Sequence, residues 1–170
     1  MSDDAQIAGF LAKYAPAIVA DLQVARAALT RLVPRGYELV YDNYNALAFG
    51  FGPTPRASDV VISLAAYPKW VTLFFLRGAS LADPACLLQG SGSRVRSVRL
   101  SPLAVLESAG VQDLLGRALA GDAVAFGAAP ALTTIVKSVS AKQRPRQPPG
   151  AGIAPAAAKP GNRPSRRDSP

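Results

Sequence analysis

The sequence predicts an α+β domain in which helices back a single small, mainly antiparallel sheet. Residues 16–33 repeat apolar side chains at the 3.6-residue period of a helix, and residues 59–76 form two strand-like runs around a turn at Pro68. A chain of 170 residues is long enough to bury one core without disulfides or metal. We therefore expect one domain over residues 1–140, followed by a tail over residues 141–170.

Two helices are predicted before the sheet, within residues 4–33. In the first, apolar residues recur at i, i+3, i+4 and i+7: Ile7, Phe10, Leu11 and Tyr14. Pro16 suits the first turn of the second helix, and Pro34 and Gly36 stop it. The apolar stripe of this second helix comprises Ile18, Leu22, Ala25, Leu29 and Leu32.

The sheet is predicted within residues 37–100. Two β-prone runs, ELVYDNYN and ALAFGFG, give its first strands. A turn at residues 67–70 then sets the register of a hairpin: Ala66 opposite Val71, Leu64 opposite Leu73, and Ile62 opposite Phe75. These side chains share one wholly apolar face, as a sheet that lies on helices requires. The charged run RVRSVRL, residues 94–100, is expected as a strand near an edge.

The opposite face of this hairpin mixes aromatic rings with a hydroxyl group and is a candidate ligand-binding surface: Tyr67, Trp70, Thr72 and Phe74. Such a surface can line a pocket for a flat or amphipathic ligand, or pair with a second subunit as a homodimer. The alternative is a second core layer beneath a helix. The sequence leaves these interpretations open.

A glycine-rich turn followed by arginines is the second candidate ligand site: Gly90, Ser91, Gly92, Arg94, Arg96 and Arg99. The backbone N–H groups of such a turn and the forked donors of arginine can hold a phosphate or a carboxylate. No Lys-Ser/Thr pair follows the glycines, so the turn is not a P-loop. The alternative is a tight connection whose arginines decorate an edge strand.

Helices are predicted again over residues 102–139. Ser101-Pro102 is a helix-start signal, and Gly121 can end an apolar stripe formed by Val111, Leu114, Leu115 and Leu119. A further helix after Pro130 is predicted from the spacing of Leu132, Ile135, Val136 and Val139. A brief helix is also expected after Asp83-Pro84, with Cys86 as a small buried residue.

Positive charge is concentrated after residue 140. The net charge is +8, but residues 1–140 contribute only +2, from twelve Lys/Arg and ten Asp/Glu. The tail is a mixture of Ala, Pro, Gly and Arg with almost no large apolar residues, which predicts disorder. Its candidate nucleic-acid contacts are Lys142, Arg144, Arg146, Arg163, Arg166 and Arg167. A solubilising appendage is the alternative, because no aromatic platform accompanies the charge.

The residue types that most catalytic chemistry needs are missing. The chain has no histidine and a single cysteine, which removes the usual general bases, zinc ligand sets and intramolecular disulfides. We therefore expect no enzyme activity, no catalytic or metal-binding residues and no cofactor; catalysis by a carboxylate or a lysine is the alternative that the sequence leaves open. We find neither a signal peptide nor an apolar run of about 18 residues, and we expect a cytoplasmic protein that is not in a membrane.

Residues 67–100, YPKWVTLFFLRGASLADPACLLQGSGSRVRSVRL, together with the later TTIVKSVSAKQRPR, resemble the YdhG-like family (domain of unknown function 1801). The likeness covers about residues 24–146. It implies a small sheet backed by helices, frataxin-like in general architecture, and no enzymatic activity. Some members of the family are described as frataxin-like iron chaperones, so the resemblance also implies an iron- or metal-carrier role. Three hypotheses follow: a binding domain for a small ligand or protein partner, an iron carrier, and a nucleic-acid accessory protein acting through its tail.

Overall fold

The structure, a computed structural model, describes residues 2–147 and confirms the α+β class. The helices are α1 (Asp3–Leu11), α2 (Pro16–Leu32), α3 (Ala109–Ala120) and α4 (Ala123–Ala128). The strands are β1 (Tyr37–Asp42), β2 (Leu47–Gly52), β3 (Ile62–Ala66), β4 (Val71–Phe75), β5 (Arg96–Arg99) and β6 (Thr133–Val139). Short 3₁₀ turns lie at Ala57–Asp59, Gly78–Ser80 and Leu103–Glu107.

All six strands belong to one sheet in the order β5-β4-β3-β2-β1-β6. Neighbours from β1 to β5 are antiparallel, whereas β6 pairs with β1 in parallel. The predicted hairpin register is confirmed, with Ile62 opposite Phe75, Leu64 opposite Leu73 and Ala66 opposite Val71. Strand β5 lies at an edge, as its charge predicts.

The two predicted N-terminal helices are confirmed. The Ser2 side chain caps α1 by accepting a hydrogen bond from the backbone N–H of Ala5, and Pro16 occupies the first turn of α2. Helix α2 contacts β3 and β4, so its apolar stripe covers the predicted apolar face of the sheet. Buried residues of α3 join the same core: Val111, Leu114, Leu115 and Ala118.

The structure differs from the prediction for residues 133–139, which form strand β6 and not a helix. Residues 133–136 are Thr-Thr-Ile-Val, all β-branched, and these side chains favour a strand over a helix. A bulge opposite Val40 and Tyr41 shifts the register, which places both Val136 and Val139 on the helix-covered face. Because of the bulge, apolar side chains three residues apart share one face of the strand. The same spacing of three residues is typical of a helix, and the helix was predicted from it.

Two smaller predictions are also corrected. The chain after Ser101 forms the 3₁₀ turn Leu103–Glu107 before Ser108 caps α3, so that helix begins at Ala109. Residues after Asp83 form a turn in place of a brief helix, because the Asp83 carboxylate accepts hydrogen bonds from the backbone N–H groups of Leu87 and Leu88. Cys86 in this turn is exposed, with a positive φ of 53°.

The folded domain extends past the predicted boundary at residue 140. The N–H of Ser140 donates to the Asp42 carbonyl over 2.8 Å, and the N–H of Arg144 donates to the Tyr44 carbonyl over 2.9 Å. Residues 140–147, called the C-terminal arm below, are therefore attached to the β1–β2 turn. The predicted disorder of the tail concerns mainly residues 148–170, which lie outside the described range. Within residues 2–147, no helix combines the length and apolar character that crossing a membrane requires.

Strand β1 carries two buried carboxylates on the helix-covered face, and each is neutralised from a distant segment. Arg26 of α2 donates two hydrogen bonds to Glu38, of 2.6 and 2.7 Å, and the Thr134 hydroxyl donates a third of 2.7 Å. Asp42 pairs with Lys13 at 2.5 Å and with Arg146 of the C-terminal arm at 3.0 Å. These ion pairs attach α2 and the C-terminal arm to β1, and the Thr134 hydrogen bond attaches β6.

Candidate anion-binding cleft

A cleft of about 460 Å³ opens where the carboxyl end of β4 meets the connection between β2 and β3. Its walls come from four separate parts of the chain: the connection 53–60, the residues after β4, the residues before β5 and the start of α4. The polar side chains in it are Thr54, Ser58, Asp59, Arg77, Arg94 and Asp122. The cleft thus gathers two arginines, two carboxylates and two hydroxyls.

The connection 53–60 forms one wall because it folds onto the sheet face opposite the helices. Val60 packs so closely on Gly50 that a Cβ at residue 50 would lie 3.0 Å from its Cγ1. At the far side of the connection, Lys137 Nζ donates a hydrogen bond to the Pro55 carbonyl over 3.1 Å. A Cβ at residue 50 would require the Val60 side chain to shift, so Gly50 favours this close approach and helps to set the depth of the cleft.

Arg77 stands two residues beyond the last residue of β4 and forms an ion pair with Asp122, which precedes α4. Its side chain is 49% exposed, so one edge of the guanidinium is held while the rest faces the cleft. The next residue, Gly78, allows this turn because a Cβ there would lie 2.5 Å from the Cβ of Arg96. Asp122 therefore orients Arg77 without enclosing it.

Arg94 enters the cleft from the residues before β5. Its carbonyl accepts a hydrogen bond of 2.9 Å from the N–H of Ala79, which fixes its backbone beside Arg77. Arg77 and Arg94 also line an adjoining recess of about 270 Å³ with Ala79, Ser80 and Ser93. Within residues 2–147 the Arg94 guanidinium makes no hydrogen bond or ion pair, so its donors remain available to a ligand.

Asp59 is held as a carboxylate at the side of the cleft formed by the connection. Thr54 Oγ1 donates to it over 2.6 Å and Ser58 Oγ over 3.0 Å. These hydrogen bonds, Thr54 first, lower the pKa of Asp59 below its usual value, with smaller contributions from the charges of Arg56 and Arg77. Asp59 is therefore an acceptor in the cleft at neutral pH.

The structure separates the arginines of the predicted glycine-turn site. Arg94 lines the cleft, whereas Arg96 donates back into the turn, to the carbonyls of Gly92 and Val95. Arg99 stacks over Trp70, with its guanidinium carbon 4.0 Å from the ring centroid. Gly90, Ser91 and Gly92 are exposed and do not line the cleft; Gly90 supplies the positive φ of 124° that the turn needs.

The predicted aromatic face exists as one surface on the sheet side opposite α2. Thr72 is buried on it, whereas Tyr67, Trp70 and Phe74 are half-buried. The rings of Tyr67 and Trp70 are 5.8 Å apart and tilted. Tyr67, Trp70 and Thr72 lie towards the opposite end of β4 from Arg77. Phe74 is nearer to Arg77, but none of the four residues lines the cleft, so the aromatic surface and the cleft are separate features.

The predicted tail contacts also divide. Arg146 is buried against Asp42 and Tyr14, so it is a structural residue and is not available to a nucleic acid. Lys142 and Arg144 are exposed, and Arg144 stacks on Tyr44 at 5.5 Å. Arg163, Arg166 and Arg167 lie outside the described residues.

The sequence prediction missed Arg77, Asp59 and Asp122. Arg77 carried a local signal, since it is a charged residue between an apolar strand and a glycine. Asp122 carried none, because its pairing with Arg77 spans 45 residues of sequence.

The fold and the cleft define a mixed α+β domain with an arginine-lined polar cleft beside its sheet. Within residues 2–147, no group of three or more His, Cys, Asp or Glu side chains is arranged to hold a metal ion. Comparisons of the chain with protein-family models, with curated proteins and with solved structures found no match.

Proposed function

We propose that this protein is a cytoplasmic, non-enzymatic binding domain whose cleft holds a small ligand with a carboxylate or phosphate group. The observation that carries this proposal is the convergence of Arg77 and Arg94 on one cleft of about 460 Å³. That volume lies within the range of about 300–1,000 Å³ typical of small-molecule sites. Arginine forks match carboxylate and phosphate oxygens in geometry as well as in charge.

The charges of the cleft narrow the class of ligand. Arg77 and Arg94 are balanced by Asp59 and Asp122, so the lining has no net charge. A polyanion would meet two carboxylates as well as two arginines. A ligand with one anionic group and a hydrogen-bond donor at its other end fits better, because the donor can reach Asp59 while the anion meets Arg94.

The resemblance to the YdhG-like family stays a hypothesis that the motifs in residues 67–100 support. The iron-carrier role and the homodimer likewise stay predictions. The cleft proposal does not depend on them, because it rests on the positions of its own side chains.

Native mass spectrometry of the freshly purified full-length protein, followed by calorimetric titration with monocarboxylates and phosphate monoesters, tests the proposal. We expect Arg94→Ala to weaken the binding of the best ligand at least about tenfold, since a charge-assisted, forked contact is lost. Arg117→Ala is the matched control, because it removes an exposed arginine that lies outside this cleft. Unchanged affinity in Arg94→Ala would show that the ligand binds elsewhere.

A further inference from the structure

Four segments meet at one end of the sheet, opposite the end that carries the cleft. The β1–β2 turn (residues 43–46) and the β3–β4 turn (residues 67–70) lie there, because Leu47 pairs with Ala66 and Ala66 pairs with Val71. The C-terminal arm joins them through the hydrogen bond from Arg144 to Tyr44. The end of β5 completes the group, since the N–H of Leu100 donates to the Val71 carbonyl.

This end of the sheet presents two arginine–aromatic stacks. Arg99 lies 4.0 Å from the ring centroid of Trp70, and Arg144 lies 5.5 Å from that of Tyr44. Tyr44 is 48% exposed, and both arginines are exposed. Lys69 and Lys142 are exposed in the same segments. We call these six residues the turn-end surface: Tyr44, Lys69, Trp70, Arg99, Lys142 and Arg144.

The segments that form the turn-end surface contain cations and no acidic residue. Neither turn nor the C-terminal arm contains an Asp or Glu, and no outward-facing position of the described strands holds one. The carboxylates of β1, Glu38 and Asp42, point to the helix-covered face and are buried in ion pairs. The chain that continues from Gln147 carries four more cations in its sequence: Lys159, Arg163, Arg166 and Arg167.

We propose that the turn-end surface binds single-stranded nucleic acid. Bases stack on exposed aromatic rings and on guanidinium planes, while lysine and arginine neutralise the phosphates. The two turns are separated by about 10 Å, two strand spacings, so one short strand can reach both stacks. The sequence alone offered the basic tail without an aromatic platform. The fold places Tyr44 against Arg144 of the C-terminal arm, with Trp70 at the same end of the sheet.

The charge pattern favours this partner over two others. Self-association through this surface would set Arg99 and Lys69 against the same cations of a second copy, which is unfavourable. A duplex keeps its bases stacked inside the helix and offers phosphates alone, so the aromatic rings would remain unused. A single strand meets both the charge and the rings.

Fluorescence anisotropy with a labelled oligothymidylate of about 15 nucleotides tests the proposal on the full-length protein. We expect Tyr44→Ala to weaken binding about tenfold, the effect of losing one base stack. We expect Arg99→Ala and Arg144→Ala each to weaken oligothymidylate binding at least about fivefold. Each should also lower the slope of affinity against salt concentration by the amount that one phosphate contact contributes. Trp70 is the only tryptophan of the chain, so quenching of its fluorescence reports stacking directly.

Two controls keep the test specific. Arg117→Ala removes the same charge on α3 and should leave binding within about twofold. Arg94→Ala alters only the cleft and should also leave it unchanged, so failure of the cleft proposal and failure of this one are distinguishable.

Four outcomes would overturn the proposal. Three concern binding: equal losses of affinity in Arg117→Ala and Arg99→Ala, equal affinity for a duplex and a single strand, or no quenching of Trp70 fluorescence. The fourth is sedimentation of the wild type as a dimer that Arg99→Ala converts to a monomer. A fifth comparison uses the full chain with Lys159, Arg163, Arg166 and Arg167 replaced by Ser. Residual binding that is still sensitive to Tyr44→Ala supports the turn-end surface, and complete loss assigns the binding to the tail.

Discussion

Replacing Asp42 with Asn tests the buried ion pair that holds the C-terminal arm. The side chain of Asp42 has no exposed surface and that of Arg146 is 2% exposed, with 3.0 Å between Oδ1 and Nη2. Asn keeps the shape and removes the charge, which leaves a buried guanidinium without a counter-ion. Removing one partner of such a pair costs about 3–5 kcal/mol. We expect about 3 kcal/mol here, because Lys13 is partly exposed and can turn to water.

The converse change, Arg146→Met, should cost less, about 1–2 kcal/mol, because Lys13 continues to neutralise Asp42. The loss of unfolding free energy in the double variant should then be about 2 kcal/mol smaller than the sum of the two single losses. Urea unfolding followed by circular dichroism and by Trp70 fluorescence measures all four proteins.

Arg144→Ala is the control for this cycle, because it removes an exposed cation from the same arm. It should change the free energy of unfolding by less than about 0.5 kcal/mol. The reasoning is refuted if Asp42→Asn costs less than about 1 kcal/mol, or if the two single losses simply add.

Two further predictions concern a glycine and a tyrosine. Gly36→Ala should destabilise the fold by about 2 kcal/mol or more, because residue 36 has φ +112° and its Cβ would lie 2.5 Å from the Gly52 carbonyl oxygen. The control is Gly116→Ala, in an open helical position, which should be neutral or stabilising in the same urea assay. Burial raises the pKa of Tyr14 to about 12, so its hydroxyl should ionise late in an absorbance titration and that late step should vanish in Tyr14→Phe. The stability that depends on the neutral Tyr14 hydroxyl is intact below the unfolded pKa near 10 and is lost as pH rises towards 12. A Tyr14→Phe protein with the same alkaline unfolding profile as the wild type would contradict the assignment.

The local parts of the fold could be predicted from the sequence because their signals are local. The register of β3 and β4 follows from alternating apolar residues on both sides of one turn, and it is confirmed by the pairing of Ile62 with Phe75. Strand β6 could not be predicted in the same way. Its partner β1 lies about a hundred residues earlier, and its bulge gives apolar residues a helix-like spacing.

The candidate cleft was only partly predictable for a similar reason. Arg94 stood out beside a glycine-rich turn, but Arg96 donates hydrogen bonds back into that turn. Arg99 lies on the opposite sheet face from Arg96, where it stacks on Trp70. Arg77 and Asp122 meet only through tertiary packing. The stacking of Arg144 on the exposed Tyr44 was likewise hidden, since the two residues are a hundred positions apart in the chain.

The pairing partners of β1 also have a consequence for the growing chain. Strand β1 pairs along one edge with Thr133–Val139. Arg146, which binds Asp42 of β1, follows Asp42 by 104 residues in the chain. During synthesis, β1 therefore keeps an open edge until Thr133–Val139 have left the ribosome, and Asp42 lacks one of its two cations until Arg146 has followed. Long-range pairing of this kind slows folding, and an open edge can pair with another chain. Completion of the sheet thus requires Thr133–Val139, and a chain that is stalled or truncated before these residues is exposed to aggregation.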